Sequence, residues 1–423
     1  MLYHGYNSRA VAVVDAFGSG HLLGPALRSR GVPVVHVRNH DAHFEQQIDT
    51  FHPEDFRDRL DFTGDIDATA GELARLGVHH VLAGAESGAD VADLLATRMG
   101  LPTANADGFA TARRDKRAMH RILDDRGVPV PAQQHLDEHR TVLRRIGGDL
   151  DGATVVVKPP ASAGTDGVHV CRSAAERDAA VDAVVARANT YGQTNDGVVL
   201  QEYLEGPEYM VNTVSVDGHH AAVEIWRSEK RTIDGSPVYD RQVLQDPRSE
   251  TCQELLAYVF DVLTHLGVRW GAAHTEVIVT ARGPLLLETG TRLPGGHDPS
   301  LGLRALGTCH LDEVVQCYLA PEEVTDRGPT RPLRQHALGV SLISPTSGRL
   351  VRDLDLRPIT ALPSFHGLRI PVKAGDRISR TVDLWTKPGG LYLCHADPER
   401  LEQDYRAVRA WEQAEFTSAT ADD

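Results

Sequence analysis

The sequence predicts an α/β protein whose amino-terminal lobe is a small parallel sheet and whose later parts are of mixed α+β type. Three observations predict this. Strand-like and helix-like runs alternate from Arg9 to Met99. A strand ending in Lys158 enters a Gly/Ser/Thr loop and returns as Val168-His169-Val170. Two runs rich in Val, Ile and Leu flank a turn at Ala281-Arg282-Gly283-Pro284 and carry Glu276 and Glu288.

In chain order, Arg9–Asp15 reads as a strand, Phe17–Gly20 as a loop and His21–Arg30 as a helix. Val32–Val37 is the next strand, Gly71–Leu76 a helix, Val78–Ala83 a strand and Asp90–Met99 a helix ending at Gly100. Such alternation packs helices on both faces of a parallel sheet. Gly18-x-Gly20-x-x-x-Gly24, with Arg38 closing the second strand, leaves a dinucleotide site, and hence an NADP oxidoreductase, as an alternative. Glu86 opens at the carboxyl end of a strand, where α/β sheets bind ligands. It suits a substrate amino group, or simply a helix N-terminus that favours an acid.

Thr154–Lys158 is a strand followed by Pro159-Pro160-Ala161-Ser162-Ala163-Gly164-Thr165-Asp166-Gly167. A lysine beside such a loop offers a point charge and backbone N–H groups to a polyphosphate. It is not a Walker A loop, since no Gly-Lys-Ser/Thr occurs, and an ordinary turn is the alternative. Val198–Leu200 leads into Gln201-Glu202-Tyr203-Leu204-Glu205-Gly206-Pro207-Glu208, followed by a strand from Tyr209 to Val216. Asp217-Gly218 signals a hairpin that returns through Ala221 to Trp226.

If the later turn centres on Arg282, Glu276 lies opposite Glu288. Period-two alternation then gives one face to His274, Glu276, Glu288, Gly290 and Arg292, and the other to Val277, Val279, Leu285 and Leu287. Cross-strand carboxylates about 5 Å apart repel by roughly 3 kcal/mol at an effective dielectric of 20. A cation between them relieves that. Mg²⁺ is commonly held by one or two carboxylates plus substrate phosphates, and two glutamates on a solvated face are the bland alternative.

Taken together, Lys158 with its Gly-rich loop, then Gln201–Glu208, then Glu276 and Glu288-x-x-x-Arg292 resemble the ATP-grasp superfamily over about residues 105–325. His274-Thr275-Glu276 followed by Glu288-Thr-Gly-Thr-Arg292-Leu-Pro-Gly295-Gly296 is similar to its L-amino acid ligase (dipeptide synthetase) branch. The resemblance implies four parts: a pre-ATP-grasp lobe at 1–104, an N-subdomain at 105–197, a C-subdomain at 198–325, and a β-rich lobe at 326–423 ending in a short disordered tail from Thr417.

It also implies roles. Lys116 and Lys158 contact the nucleotide phosphates. Ser162, Gly164, Thr165 and Gly167 belong to the loop that closes over them. Gln201, Glu202, Tyr203 and Leu204 frame the adenine, and Glu208 holds the ribose. Glu276 and Glu288 bind one or two Mg²⁺ ions, with Mn²⁺ as a substitute. Arg292 meets the substrate carboxylate or acyl-phosphate, and Glu86, His274, Gly295 and Gly296 line the substrate pocket. The catalytic set is Arg292, Lys158, Glu276 and Glu288. Each has a plainer alternative: Lys116 as a solvated helix lysine, Glu208 as a turn residue, His274 as a strand histidine satisfied by a neighbour. Gly290 replaces the Asn that many ATP-grasp enzymes carry, which leaves the second Mg²⁺ in doubt.

The implied reaction joins an amino-acid donor to an amine acceptor through an acyl-phosphate, releasing ADP and phosphate. The acceptor stays open among a second amino acid, a specialised amine and a carrier-protein thiol. A biotin-carboxylase-like enzyme and a non-catalytic nucleotide-binding module are the other readings. With 423 residues and 41% hydrophobic content, the chain can bury a substantial core. A formal charge of −15 argues against nucleic acid or an anionic membrane as partner. Five scattered cysteines and no long apolar run suggest reduced thiols and a cytoplasmic protein without a membrane span. A homodimer is compatible with this composition.

Overall fold

The computed structural model describes residues 9–39, 49–162, 166–233, 236–296, 298–383 and 386–421. The amino-terminal lobe follows the predicted alternation: β1 (Ala10–Val14), α1 (Leu23–Arg28), β2 (Val34–Asn39), β3 (Asp58–Phe62), α2 (Ile66–Arg75), β4 (Val78–Ala83) and α3 (Ala89–Arg98). The sheet order is β3-β2-β1-β4, all parallel. β1 shows why helices cover both faces. Ala10, Ala12 and Val14 join a core with Leu73 and Leu95, whereas Val11 and Val13 pack with Leu23 and Leu27. Sequence reading misses β3, whose Asp-Arg-Leu-Asp-Phe carries only two apolar residues because it is an edge strand. α2 begins five residues before the expected Gly71, at a cap where Asp65 accepts from Ala68 N; that bond satisfies a free helix-end N–H.

The glycines of the 18–24 loop are occupied by packing. A Cβ on Gly20 would lie 2.2 Å from the Gly84 carbonyl oxygen, and one on Gly24 would lie 3.1 Å from the Asp55 side chain. Gly20 thus lets the loops after β1 and β4 touch, which removes the motif's main argument for a dinucleotide.

Next come α4 (Lys116–Asp125), β5 (Gln133–Asp137), β6 (Val142–Ile146), β7 (Val155–Lys158), β8 (His169–Cys171), α5 (Ala174–Val185) and β9 (Gly197–Glu202). They build a five-stranded sheet, β6-β5-β9-β7-β8. β9 belongs to this sheet, so the boundary expected at 198 falls one strand early. One face, with Val155, Val157, Val198 and Leu200, packs on α5. Alternation puts Lys158 and Gln201 on the other.

The remaining strands are β10 (Glu208–Val216), β11 (His219–Ile233), β12 (Ser236–Leu244), β13 (Gly271–Thr280), β14 (Gly283–Gly290), β15 (His336–Ser341), β16 (Gly348–Leu350), β17 (Phe365–Arg369), β18 (Arg377–Ile378), β19 (Gly390–His395) and β20 (Thr420–Ala421). Eight of them form one sheet, β14-β13-β10-β11-β12-β15-β19-β17. The carboxyl-terminal lobe therefore extends the sheet of the preceding region. The Asp217-Gly218 turn has φ of +48° and +84°, the left-handed pair that a tight hairpin needs. The expected tail is corrected. Thr417–Ala419 end the long helix Pro398–Ala419, where Ala419 is fully buried, and Thr420–Ala421 pair with β16.

The β13–β14 hairpin holds a register correction. Its turn is two residues long, since Thr280 pairs with Gly283, and this alone would set Glu276 opposite Leu287. A bulge between Glu276 and Val277 shifts the register by one, so Glu276 faces Glu288, Thr275 faces Thr289 and His274 faces Gly290. Leu286, not Leu287, accordingly joins Val277 in the core, and Leu285 pairs with Ile278. The core behind this hairpin is α6 (Glu250–His265), which buries Leu255, Val259, Val262 and Leu263.

Gly20→Ala tests the close approach. The added methyl meets backbone rather than a yielding side chain, so it should cost about 1–3 kcal/mol. An unchanged melting temperature would remove the argument.

Candidate active site

α4 enters the site end-on. The Asp115 side chain caps it by accepting from Arg117 N and Ala118 N, and Lys116 N donates to Pro160 O at 2.8 Å. These bonds turn Lys116 inward to 7% exposure. Its Nζ lies 2.5 Å from Glu288 Oε2 and donates to Ser162 O at 3.2 Å. It is no solvated helix lysine. Burial disfavours its charge, but Glu288, then Glu86 and Glu276, outweigh that and hold its pKa above the usual lysine value. Lys158 is 6% exposed. Burial first, and repulsion from Lys116 second, bring its pKa down to about 7 despite Glu288 and Glu276. Among the described residues Lys158 has no ion-pair partner. A buried cation left in that state is a site for an anion.

The two glutamates differ in their surroundings. Burial alone would raise Glu276, but the hydrogen bond and charge of His274, with Arg292 and Lys116 beyond, bring it down to about 2. His274 Nε2 lies 3.4 Å from Glu276 Oε1, and its Nδ1 donates to Asn212 Oδ1 at 2.8 Å. Asn212 Nδ2 in turn donates to the buried Glu224 at 3.0 Å. His274 is thus oriented from behind.

Arg292 Nε donates to Glu86 Oε2 at 2.7 Å, and both side chains are 15% exposed. The partners lie 206 positions apart in the chain. A Cβ on Gly290 would sit 2.6 Å from that same Glu86 oxygen, so the missing side chain at 290 is the space that Glu86 fills. Glu86 is steadied by its neighbour Ser87, whose Oγ donates to the buried Asp15 at 2.5 Å.

At the other end, Gln201 is 2% exposed and its Oε1 has no hydrogen-bond partner among the described residues. Glu202 N and Tyr203 N are committed to Ala132 O and Thr154 O, while no hydrogen bond of Leu204 N is found among the described residues. The Glu202 carboxylate is structural: it accepts from Ala132 N at 2.8 Å and Arg282 Nη2 at 2.7 Å. The Tyr203 side chain points outward, 46% exposed. Glu208 accepts from Lys230 Nζ at 2.6 Å and Tyr239 OH at 3.1 Å, so it does more than end a turn. Ser162 Oγ donates to Asp166 at 2.7 Å. Gly167 takes φ of +67° beside Pro159, and Gly164 and Thr165 lie outside the described residues. Gly295 and Gly296 are exposed with open space around them, and Tyr392 OH donates to Gly296 O at 2.8 Å.

The chain is 30% identical over 421 residues to dapdiamide A synthase of Enterobacter agglomerans, covering 95% of this chain and 96% of that one. It belongs to the ATP-grasp family of ATP-dependent carboxylate–amine ligases. Residues 114–240 match the model of the phosphoribosylglycinamide synthetase ATP-grasp (A) domain. D-alanine–D-alanine ligase of Desulforudis audaxviator (strain MP104C) is 28% identical over 323 residues, 72% of this chain and 93% of that one. Among solved structures, the L-amino acid ligase from Bacillus licheniformis shares the fold with a TM-score of 0.73 at 18% identity, over 96% of this chain and 98% of that one.

In this ATP-grasp chain, Lys116, Glu276, Glu288, His274, Arg292 and Glu86 form one cluster, and Lys158 joins it through the charges of Lys116, Glu288 and Glu276 rather than by a direct contact. Gln201 lies near the end of β9, Leu204 follows in the segment that leads to β10, and Glu208 opens β10, where its partner Tyr239 also feels the charges of Glu276 and Glu288. Sequence reading missed Asn212, Lys230 and Tyr239. Lys230 and Tyr239 are a cross-strand pair of the β11–β12 hairpin; the charged run Arg227–Arg231 hides its apolar alternation, although Asp234-Gly235 is a hairpin signal in the sequence.

A pH test follows from Lys158. In the free protein it loses its proton near pH 7, whereas a bound phosphate favours the charged form. ATP binding should therefore take up a proton above pH 7, and affinity should fall with rising pH by up to about tenfold per unit. Lys158→Arg should flatten that slope in calorimetric titrations; an equal slope in both proteins would assign it to another group.

Proposed function

We propose that this enzyme activates an amino-acid carboxylate by phosphoryl transfer from ATP and joins it to an amine, releasing ADP and phosphate. The observation that carries the donor class is the Glu86–Arg292 ion pair beside Glu276 and Glu288. An amino acid carries one charge of each sign, and this pair supplies one partner for each: Arg292 for the reacting carboxylate or acyl-phosphate, Glu86 for the ammonium. Similarity to dapdiamide A synthase and to an L-amino acid ligase supports the same class.

The nucleotide fits the chain as built. Gln201 Oε1 and Leu204 N offer an acceptor and a donor to an adenine edge, Glu208 suits the ribose hydroxyls, and Lys116 and Lys158 suit the phosphates. The carboxylates of Glu276 and Glu288 would hold one or two Mg²⁺ ions. Mg²⁺ is usually held by one or two carboxylates together with substrate phosphates, and this cross-strand carboxylate pair would suit such an ion. The ion supplies charge neutralisation at the phosphates. The protein's own work is positioning and electrostatics. Lys158 and Lys116 offset the charge that builds on the transferring phosphoryl group. Arg292 aligns the attacking carboxylate, and exclusion of water would protect the acyl-phosphate from hydrolysis. The acceptor amine then displaces phosphate.

Among the described residues no helix is long and apolar enough to cross a membrane. Free, buried thiols at all five cysteines and a reaction that consumes ATP support a cytoplasmic setting.

Phosphate release measured over pairs of amino acids and amines, with mass spectrometry of the products, tests the reading. Release that depends on one amino acid names the donor, and the product mass names the acceptor. Release driven by bicarbonate or a purine intermediate instead would overturn it. Glu288→Gln should retain the fold and lose turnover by several orders of magnitude; a tenth of wild-type release would end the metal assignment. Arg292→Lys keeps the charge but not the two-pronged geometry. It should keep ATP affinity and lose amino-acid-dependent release by about tenfold or more. A lower melting temperature with unchanged kinetics would make Arg292 purely structural.

A further inference from the structure

We propose that the carboxyl-terminal helix Pro398–Ala419 positions the ribose end of the nucleotide site, acting through a bulge at Asp240 that sets Tyr239 against Glu208. The inference rests on the reading of Glu208 as the residue that holds the ribose hydroxyls.

The bulge divides one strand between two faces. Glu229 of β11 pairs with Arg241 of β12 and Lys230 with Tyr239, so Asp240 is an extra residue. Such a residue disrupts the ladder locally and re-aims the side chains beside it. Tyr239 points to the face of Glu208, which pairs with Ile278, two residues beyond Glu276. Alternation puts Glu208 on the same face as that carboxylate. Tyr239 OH donates to Glu208 Oε1 at 3.1 Å, and Lys230 Nζ lies 2.6 Å from Glu208 Oε2 and 4.6 Å from the Tyr239 ring centre. Burial, then the charges of Glu208 and Glu276, hold the phenol far above its usual pKa, so it remains a donor.

Asp240 and Arg241 both turn to the helix instead. One Asp240 oxygen accepts from Tyr405 OH at 2.7 Å, and the other pairs with Arg409, whose Nη2 also donates to the Asp240 carbonyl at 2.7 Å. Arg241 Nη1 lies 2.5 Å from Glu402 Oε2. The guanidinium groups of Arg241 and Arg409 sit 4.3 Å and 5.1 Å from the Tyr405 ring centre. Two residues of one helix thus hold the bulged residue by its side chain and by its backbone. A slip of β12 by one residue would turn Tyr239 away from Glu208, and these bonds oppose it.

Tyr405→Phe keeps the ring between the two guanidinium groups and removes the hydroxyl that Asp240 accepts. Calorimetric titration with ADP, 2′-deoxy-ADP and 3′-deoxy-ADP, each with Mg²⁺, reads the ribose contact without turnover. The wild type should prefer ADP to a deoxy form by about tenfold, the worth of one hydrogen bond to a charged group. Tyr405→Phe should lose most of that preference. Glu415→Gln loosens the far end of the same helix, where Glu415 accepts from Asp355 N at 2.7 Å. It should lower the melting temperature and leave the preference intact. A preference kept in Tyr405→Phe overturns the proposal, with Asp240→Asn deciding if that variant does not fold. Equal loss in Glu415→Gln also overturns it, since the effect would then be one of stability. Glu208→Gln separates the inference from the reading beneath it. If the preference survives in Glu208→Gln, the ribose assignment fails and the inference with it; if it vanishes there but persists in Tyr405→Phe, only the inference fails.

Discussion

One extra residue in β14 governs the chemistry of this molecule. A two-residue turn would place Leu287 opposite Glu276, and the bulge brings Glu288 there instead. Two carboxylates then share one face at cross-strand distance, an arrangement that is unfavourable on its own. Lys116 pairs with one, His274 lies against the other, and Lys158 adds a charge that burial has already weakened. A basic side chain on α4 is thereby paired with one of the two carboxylates, and Lys158 on β7 acts on both through its charge alone. The bulge also turns Leu286 into the α6 core, so the packing that stabilises the hairpin is the packing that fixes the carboxylates.

The other constraint is close approach at glycine. At Gly290 the space of a side chain is given to the carboxylate of Glu86, which arrives from another lobe and meets Arg292. At Gly20 the same device joins two loops at the carboxyl ends of the parallel strands, from one of which Glu86 emerges. The amino-terminal lobe therefore contributes to the site by contact. Asp15, at φ of +54° and holding Ser87, belongs to that junction.

Much of this was legible in the sequence, and for identifiable reasons. The β/α alternation, the Asp217-Gly218 turn and the spacing from Glu276 to Glu288 are local patterns, written by backbone geometry and the period of side-chain exposure. The strand-end lysine, Gln201–Glu208 and Glu288-x-x-x-Arg292 are short motifs whose residue types already match the chemistry. The edge strand β3 and the charged hairpin β11–β12 were harder, because half-exposed strands lose the apolar alternation that reveals them.

The sequence by itself thus determined the fold class, the ATP-grasp resemblance and most of the polar residues that line the site. Tertiary structure alone decided three things. It placed the bulge, because register depends on which leucine the α6 core accepts. It brought Glu86 over Gly290 to Arg292, because the Glu86–Arg292 pair, separated by 206 positions, has no local trace. It built the turn around Tyr191, because that turn is held by Asn189 and Asp166 through hydrogen bonds rather than by periodicity.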